Sequence, residues 1–331
     1  MSKEALISVL IPTYNHEMYV RESLQSVVNQ TYKNIELILI DDGSKDSTWA
    51  KIKEIEPELS ERFTRVVLQK SESNCGLCKT MNKLISLAKG EYILSMASDD
   101  FLLPETVNKL YTFLSANPDY VFAVGDNETV NSSSERVGWD ASRNNVPLAE
   151  AKWKTFGEWL RFSRPDVNFL SEDFGSYKSL LVGNYIPNGA MIKKSTIDEI
   201  GGYDEDAPLE DWYMNFQLSK KGKFKYFDEV MFAYRWHSAN TVKQSEKLGQ
   251  MTKKTKKYEY SLLKKSKDEN SKHYLKIYRK YLRDKLKAKI RRELKMAILK
   301  FFRLSVKLLP CSEYKEKMNT KIKQKMAELK K

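Results

Sequence analysis

Four short segments of the chain carry side chains that could do chemistry. Asp41-Asp42-Gly43-Ser44 closes one apolar run and Ser98-Asp99-Asp100 closes another; Glu210-Asp211-Trp212 precedes a helical pattern, and His237, one of only three histidines, follows Tyr234-Arg235-Trp236. A carboxylate just beyond a buried strand can accept hydrogen bonds from a nucleobase or ribose, while Gly43 lets the backbone turn away. A second carboxylate pair nearby suits a hard divalent cation that takes its other ligands from diphosphate oxygens. One acid of Glu210-Asp211 could act as general base to an attacking hydroxyl, and His237 could touch a metal or a diphosphate. Each segment also has a plainer reading: acidic turns after strands are common, Asp at a helix start caps backbone amides, and a lone histidine is often only a surface residue. Adjacent like charges are unfavourable unless a cation or hydrogen-bond donors offset them, so the two aspartate pairs together favour a shared site.

Such acids work only if a fold gathers them. Residues 6–11 form a β-branched apolar run ended by Pro12, and Val20, Leu24, Val27 and Val28 then repeat at helical spacing. Further apolar runs at 35–40, 66–68 and 92–96 are separated by polar loops and by a helical stretch at about 76–88. Uninterrupted apolar strands alternating with helices predict a parallel sheet covered on both faces, whose ligands bind beyond the carboxyl ends of the strands. The acidic pairs stand at those ends. Residues 131–180, with Ser132-Ser133-Ser134 and the aromatics Trp153, Phe156, Trp159 and Phe162, read as an excursion with a helix, and 184–241 as compact chain again.

From residue 245 onward the chain is rich in Lys and Leu, poor in glycine, and spaced for two or three helices. The whole chain of 331 residues holds 57 Lys plus Arg against 44 Asp plus Glu. Residues 245–331 hold 29 and 9 of these, leaving 28 basic against 35 acidic residues in 1–244. An acidic body with a basic tail suggests a tail that meets an anionic partner. The acidic body lacks nucleic-acid-binding motifs, so nucleic acid is not expected as the partner. Within 294–309, Lys300, Arg303 and Lys307 form one stripe, with Ile298, Leu299, Phe302, Leu304 and Leu308 available for apolar faces, as in an interfacial helix on anionic lipid. The alternative is a helix packed on the catalytic domain or on a second copy of the chain. No run is apolar enough to span a bilayer and the first residues lack a signal pattern, which predicts a cytoplasmic protein. Cys75, Cys78 and Cys311 are too few for a disulfide framework; Cys75-Gly76-Leu77-Cys78 has the spacing of half a zinc site but lacks a second ligand pair.

Taken in order, the pieces resemble the family 2 glycosyltransferases of the GT-A fold. The resemblance rests on Pro12-Thr13-Tyr14-Asn15, Gln25 through Tyr32, Asp41-Asp42-Gly43-Ser44, Asn74 with Gly76, Asn82, Gly90-Glu91-Tyr92-Ile93, Ser98-Asp99-Asp100 with Pro104, Gly201-Gly202-Tyr203-Asp204, Glu210-Asp211 and Tyr234-Arg235 through His237. It covers about 1–244 and implies a Rossmann-like, mixed, mostly parallel α/β sheet flanked by helices. Residues 1–100 would be the nucleotide-binding half, 101–244 the acceptor and catalytic half, and 245–331 a helical extension.

The resemblance further implies that Pro12, Tyr14, Asn15 and Asp42 contact the nucleoside, that Asp99 lies near ribose, and that Asp100, with His237, holds Mn²⁺ or Mg²⁺ against the donor diphosphate. Asp211 would be the base of an inverting displacement, with Asn188, Gly189 and Glu210 around the transferred sugar and the acceptor. The expected activity is transfer from a nucleotide sugar, a UDP-sugar first, to a hydroxyl of a glycan or lipid-linked glycan in bacterial surface polysaccharide, capsule or lipo-oligosaccharide synthesis. Its expected place is the inner face of the cytoplasmic membrane. A non-catalytic scaffold of the same fold, or a protein that acts through its basic tail, is the alternative. Two positions depart from the family pattern: Ala97 stands where many members have a further Asp, and Met81 where an Arg is frequent.

Overall fold

The computed structural model describes residues 4–237, 240, 245–307 and 312–329. The first elements alternate as the apolar runs predict: β1 (Ile7–Thr13), α1 (Val20–Val28), β2 (Ile35–Asp41), α2 (Thr48–Arg62), β3 (Arg65–Lys70), α3 (Leu77–Leu87) and β4 (Tyr92–Ser95). Their strands pair in the order β3-β2-β1-β4, all parallel. Every residue of β2 is buried, which is why it reads as continuous apolar sequence and not as an alternation. Ile7, Val9, Ile11, Leu37 and Leu39 share a core with Leu24 and Val27 of α1 and Ile52 and Leu59 of α2. On the opposite face α3 lies against β1 and β2.

The second half builds β5 (Phe101–Leu102), α4 (Thr106–Ala116), β6 (Tyr120–Val130), β7 (Arg136–Trp139), β8 (Asn145–Val146), α5 (Phe156–Ser163), α6 (Tyr177–Leu180), β9 (Met191–Lys193), α7 (Lys194–Ile200), α8 (Glu210–Leu218) and β10 (Lys223–Arg235). β9 joins the halves, antiparallel to both β4 and β6, and the sheet continues through β10, parallel to β6, to β5. The sheet is therefore mixed and mostly parallel, as the sequence predicts. Residues 131–180 hold more regular structure than an excursion with one helix: two short strands and two helices, packed through Trp139, Phe156 and Trp159.

Three helices follow: α9 (Ser245–Lys265), α10 (Glu269–Lys307) and α11 (Ser312–Glu328). Gln244, where the sequence suggested the catalytic domain ends, lies outside the described residues, as does Cys311. The chain divides into compact units at 1–261 and 262–331. Most of α9 therefore belongs with the first unit, and buried side chains show why. Glu259 accepts hydrogen bonds from the Tyr177 hydroxyl at 2.8 Å and Gln217 Nε2 at 3.1 Å, and it pairs with Lys220 at 2.9 Å. Thr255 Oγ1 accepts the Leu209 N–H at 3.0 Å, and Tyr258 donates to Asp204 at 2.9 Å.

Candidate active site

Two adjoining hollows open beyond the carboxyl ends of β1, β2 and β4. The larger, about 490 Å³, is lined by residues that include Pro12, Tyr14, His16, Asp42, Asp99, Asp100 and His237. The smaller, about 220 Å³, includes Gly189, Glu210, Asp211 and Tyr203. Pro12, Leu77, Ala97, Asp100 and Asn188 line both, so the two form one continuous cleft. Of the residues that sequence placed at the site, only Asn15 does not line it. Its side chain accepts the Lys45 N–H at 2.9 Å, its own N–H donates to Ser44 Oγ at 2.9 Å, and so it clamps the loop after β1 to the loop after β2.

The acidic pair after β2 divides its work. Asp41 is buried and accepts the Ser44 N–H at 2.9 Å, the ordinary role of a turn-forming aspartate. Asp42 turns to the cleft and meets the loop before α3, where Oδ1 accepts from the Cys75 N–H at 2.9 Å and Oδ2 from the Gly76 N–H at 3.0 Å. Burial works to raise the Asp42 pKa, but the hydrogen bonds from Cys75, Gly76 and Thr80 outweigh it, and the carboxyl sits below its ordinary range. Gly43 makes this approach possible: at φ +78° its Cβ would lie 2.7 Å from the Ser73 carbonyl carbon. Cys75 and Cys78 are free thiols. The Cys75 thiol donates to Asp42 at 3.0 Å, and burial followed by nearby Glu210 pushes Cys78 up to about 11.

After β4, Asp100 is buried and accepts the Arg235 backbone N–H at 2.8 Å. Burial and then the adjacent Asp99 push its carboxyl well above the usual range. Asp99 goes the other way. Burial opposes ionisation, but His237 Nε2 at 3.1 Å from Asp99 Oδ2 and His16 Nε2 at 3.8 Å hold its pKa down. His16 in turn bonds Ser98 Oγ through Nδ1 at 2.8 Å. Burial lowers the His16 pKa, against the opposing pull of Asp99.

Behind this cluster the fully buried Arg235 ties three elements together. Its Nε donates to the Asp99 carbonyl at 2.7 Å. Its two terminal nitrogens reach the Asn131 carbonyl at 2.9 Å, Ser134 Oγ at 3.0 Å and Glu22 at 2.6 Å. The guanidinium also lies 4.5 Å from the Tyr19 ring centre.

Among the described residues no group of three or more His, Cys, Asp or Glu side chains converges as a metal site. The donor set nonetheless fits a cation that needs few protein ligands. Asp100 presents a buried carboxylate to both hollows, and a hard divalent ion can take its remaining oxygens from diphosphate and water. The described lining contains no Lys or Arg, so beside Asp42 and Asp99 a diphosphate would meet like charge that such an ion would offset. His237 faces the same hollow with Nε2 engaged by Asp99. Ala97 and the buried Met81 line the cleft without adding charge.

In the smaller hollow Glu210 and Asp211 open α8, preceded by Leu209, which makes no side-chain cap. Asp211 is exposed and lines the cleft. The protein packed around the rest of it raises its carboxyl pKa, more than the hydrogen bonds from Asn184 and the Trp212 N–H lower it. Glu210 is raised by burial and by Asp211. Asn188 is held at the shared wall by Asn127, which takes the Asn188 N–H and donates to its carbonyl, both at 3.0 Å. Gly189, at φ +82°, has no room for a side chain, since a Cβ would come within 2.3 Å of the Phe232 ring.

His16, Asn127, Asn184 and Arg235 as a hub were not legible as site residues in sequence. For His16 one signal existed: it is one of three histidines and directly follows the Pro12–Asn15 turn.

Sheet order and a divided, acid-lined cleft beyond parallel strand ends are those of the GT-A fold. Residues 8–169, just under half of the chain, match the family model for Glycosyl transferase family 2, the family that the sequence motifs resemble. An uncharacterized glycosyltransferase of Haemophilus influenzae is 28% identical over 71% of this chain and 67% of its own length. Glycosyltransferase GlyG of Streptococcus pneumoniae is 26% identical over 72% and 73%. The same fold occurs in S. aureus TarS residues 1–349, solved with UDP-GlcNAc (19% identity, TM-score 0.57, covering 83% of this chain and 71% of that one). It occurs again in the mannosyltransferase PcManGT of Pyrobaculum calidifontis, solved with GDP-Man and Mn²⁺ (13% identity, TM-score 0.59, covering 87% and 76%).

Proposed function

We propose that the chain transfers a sugar, with inversion, from a nucleotide sugar to a hydroxyl of a glycan or lipid-linked glycan of a bacterial surface polysaccharide. The observation that carries this reading is the continuity of the cleft: Asp42, Asp99 and Asp100 line one hollow, Glu210 and Asp211 the next, and Asp100 and Asn188 both. Pro12, Tyr14, Asp42 and Asp99 take the nucleoside, and Asp100 with His237 holds Mn²⁺ or Mg²⁺. When bound, that ion supplies positive charge against the diphosphate as it departs. Asn188, Gly189 and Glu210 bound the sugar and the acceptor. Asp211 takes the acceptor hydroxyl's proton as its oxygen bonds to the anomeric carbon, and the bond from that carbon to the diphosphate oxygen breaks on the opposite face. UDP is the first nucleotide to test, because TarS is solved with UDP-GlcNAc; PcManGT makes GDP-Man the second.

Thermal unfolding with a panel of UDP-GlcNAc, UDP-glucose and GDP-mannose, each with Mn²⁺ or EDTA, tests the donor and the ion together. A donor at about a hundredfold its Kd stabilises by roughly 2.7 kcal/mol, a rise on the order of 5 °C or more, and this rise is expected only with Mn²⁺. If no nucleotide sugar protects, the donor reading is wrong; equal protection in EDTA removes the ion. Slow release of nucleoside diphosphate from the protecting donor separates an enzyme from a scaffold that merely binds.

The second unit supports peripheral attachment to the inner face of the membrane, where lipid-linked acceptors lie. Among the described residues no helix is long and apolar enough to cross a membrane. Helix α10 instead exposes Leu282, Leu286, Ile290, Leu294, Ile298 and Phe301 between many Lys and Arg, and α11 packs back on it. Ile298, Phe302 and Leu304 of the expected stripe are exposed on α10. The Lys307 side chain, Leu308 and Leu309 lie outside the described residues. At roughly 1 kcal/mol per engaged cation, three or four cations should give sedimentation with phosphatidylserine vesicles that 0.5 M salt weakens. Binding to neutral vesicles alone, or to none at low salt, excludes this attachment and leaves packing on the catalytic domain or on a second copy of the chain as the role of α10.

A further inference from the structure

Asn184 stands in the irregular segment between α6 and β9, and the mechanism above gives it no role. Its Nδ2 donates to Asp211 Oδ2 at 2.9 Å, while Asp211 Oδ1 takes the Trp212 N–H at 2.6 Å. The other end of the same amide is left without a partner: Asn184 Oδ1 is buried and makes no hydrogen bond. An amide that could turn over would relieve that oxygen only by pointing it at a carboxylate, oxygen against oxygen. The orientation is thus one in which a buried acceptor goes unmet so that a donor can face Asp211.

Burial is what opposes ionisation of Asp211, and the titratable groups on this side are acids, a tyrosine and a thiol. On α8 there is Glu210; on the loop before it Tyr203, Asp204 and Glu205; on α3 Cys78, which senses the same acids. Among the described residues, Lys256 of α9 lies 3.4 Å from the Val182 carbonyl and 5.5 Å from the Trp212 ring centre. The start of α8 contributes its dipole and one N–H. Asn184 is the side chain whose bond to Asp211 favours the carboxylate.

We infer that Asn184 is a positioning residue: its amide donor fixes the Asp211 carboxylate and favours the ionised form, so that the carboxylate is aimed to take a proton from the acceptor. The inference rests on Asp211 as the base. It predicts how that base titrates, which a merely structural contact between the 181–187 segment and α8 would not set.

The test is a ¹³C-carboxyl titration of the full chain labelled at aspartate, with the Asp211 signal assigned by its loss in Asp211→Asn. Asn184→Leu keeps the volume and removes the donor; it should raise the Asp211 pKa by about one unit, a tenfold rise in proton affinity. Asn184→Asp should raise it further, because it adds a like charge. The acid limb of kcat/KM should move up by the same amount, with turnover recovering above it, whereas a structural defect lowers the rate equally at every pH. Should Asn184→Leu unfold, Asn184→Ala replaces it. An Asp211 titration unmoved in a folded variant overturns the inference. If instead the titration moves while Asp211→Asn turns over normally, Asn184 controls the carboxyl and it is Asp211 as base that fails.

Discussion

Asp211→Asn is expected to lower turnover by about 10²-fold or more while leaving donor binding near normal. The asparagine keeps the size of the side chain and removes the basic oxygen. The nucleoside and diphosphate residues line the larger hollow, whereas Asp211 lines only the smaller, so affinity for the donor and proton removal should separate. Wild-type activity should carry a pH signature of the same group. Packing raises the Asp211 pKa above the ordinary aspartate value, and a base works only when deprotonated. The rate should therefore rise with pH through that raised value and be lost as pH falls below it. Titration calorimetry with the donor, beside steady-state turnover, checks both halves. A mutant that turns over almost normally passes the role of base to Glu210.

Arg235→Leu is expected to produce the largest loss of stability of any single change at the site. The ion pair with Glu22 contributes little, because Glu22 is 40% exposed and solvent screens it. The cost comes from the buried Asp99 carbonyl, which loses its donor, and from the packing of the fully buried side chain; the half-buried Asn131 carbonyl and the exposed Ser134 hydroxyl can turn to water. Leaving a buried carbonyl without its donor costs about 1–3 kcal/mol, or a fall in Tm on the order of 5 °C. Arg235→Lys should lie between, since an ammonium cannot replace the guanidinium fork. Thermal and urea unfolding of both variants decide it; a Tm within about 2 °C of wild type for Arg235→Leu would show that the hub is dispensable.

What could be read from the amino acids alone was what local pattern encodes. Strand β2 announced itself because both its faces are covered, and Asp42, Asp99 and Asp100 were found because they end such strands. The plain reading of an acidic turn was also correct, for Asp41, one residue from Asp42; nothing local distinguishes the two. Contacts across long sequence separations leave no periodic trace. Ser98 reaches back to His16, Asn188 to Asn127, and Leu209 forward to Thr255, each through polar side chains that propensity treats as loop or helix surface. The same blindness moved the domain edge. The Lys-rich composition of α9 conceals Thr255, Tyr258 and Glu259, which face the catalytic unit, so the helix reads as tail although most of it is wall.

The pairing of Asp100 with Arg235 also sets an order in time. The carboxylate leaves the ribosome 135 residues before the backbone N–H that receives it, and β5 has no strand partner until β10 arrives. The four parallel strands of the first half can collapse on their own helices early, because their contacts are comparatively local. The acid-rich side of the cleft cannot close with them. During synthesis the nascent chain must carry Asp99 and Asp100 as an open, mutually repelling pair until the last strand of the sheet threads between β6 and β5. A chain cut short before residue 235 should therefore keep the strands that carry Pro12, Tyr14 and Asp42 and lack the bond that fixes Asp100, an outcome that donor binding to such a truncated chain would check.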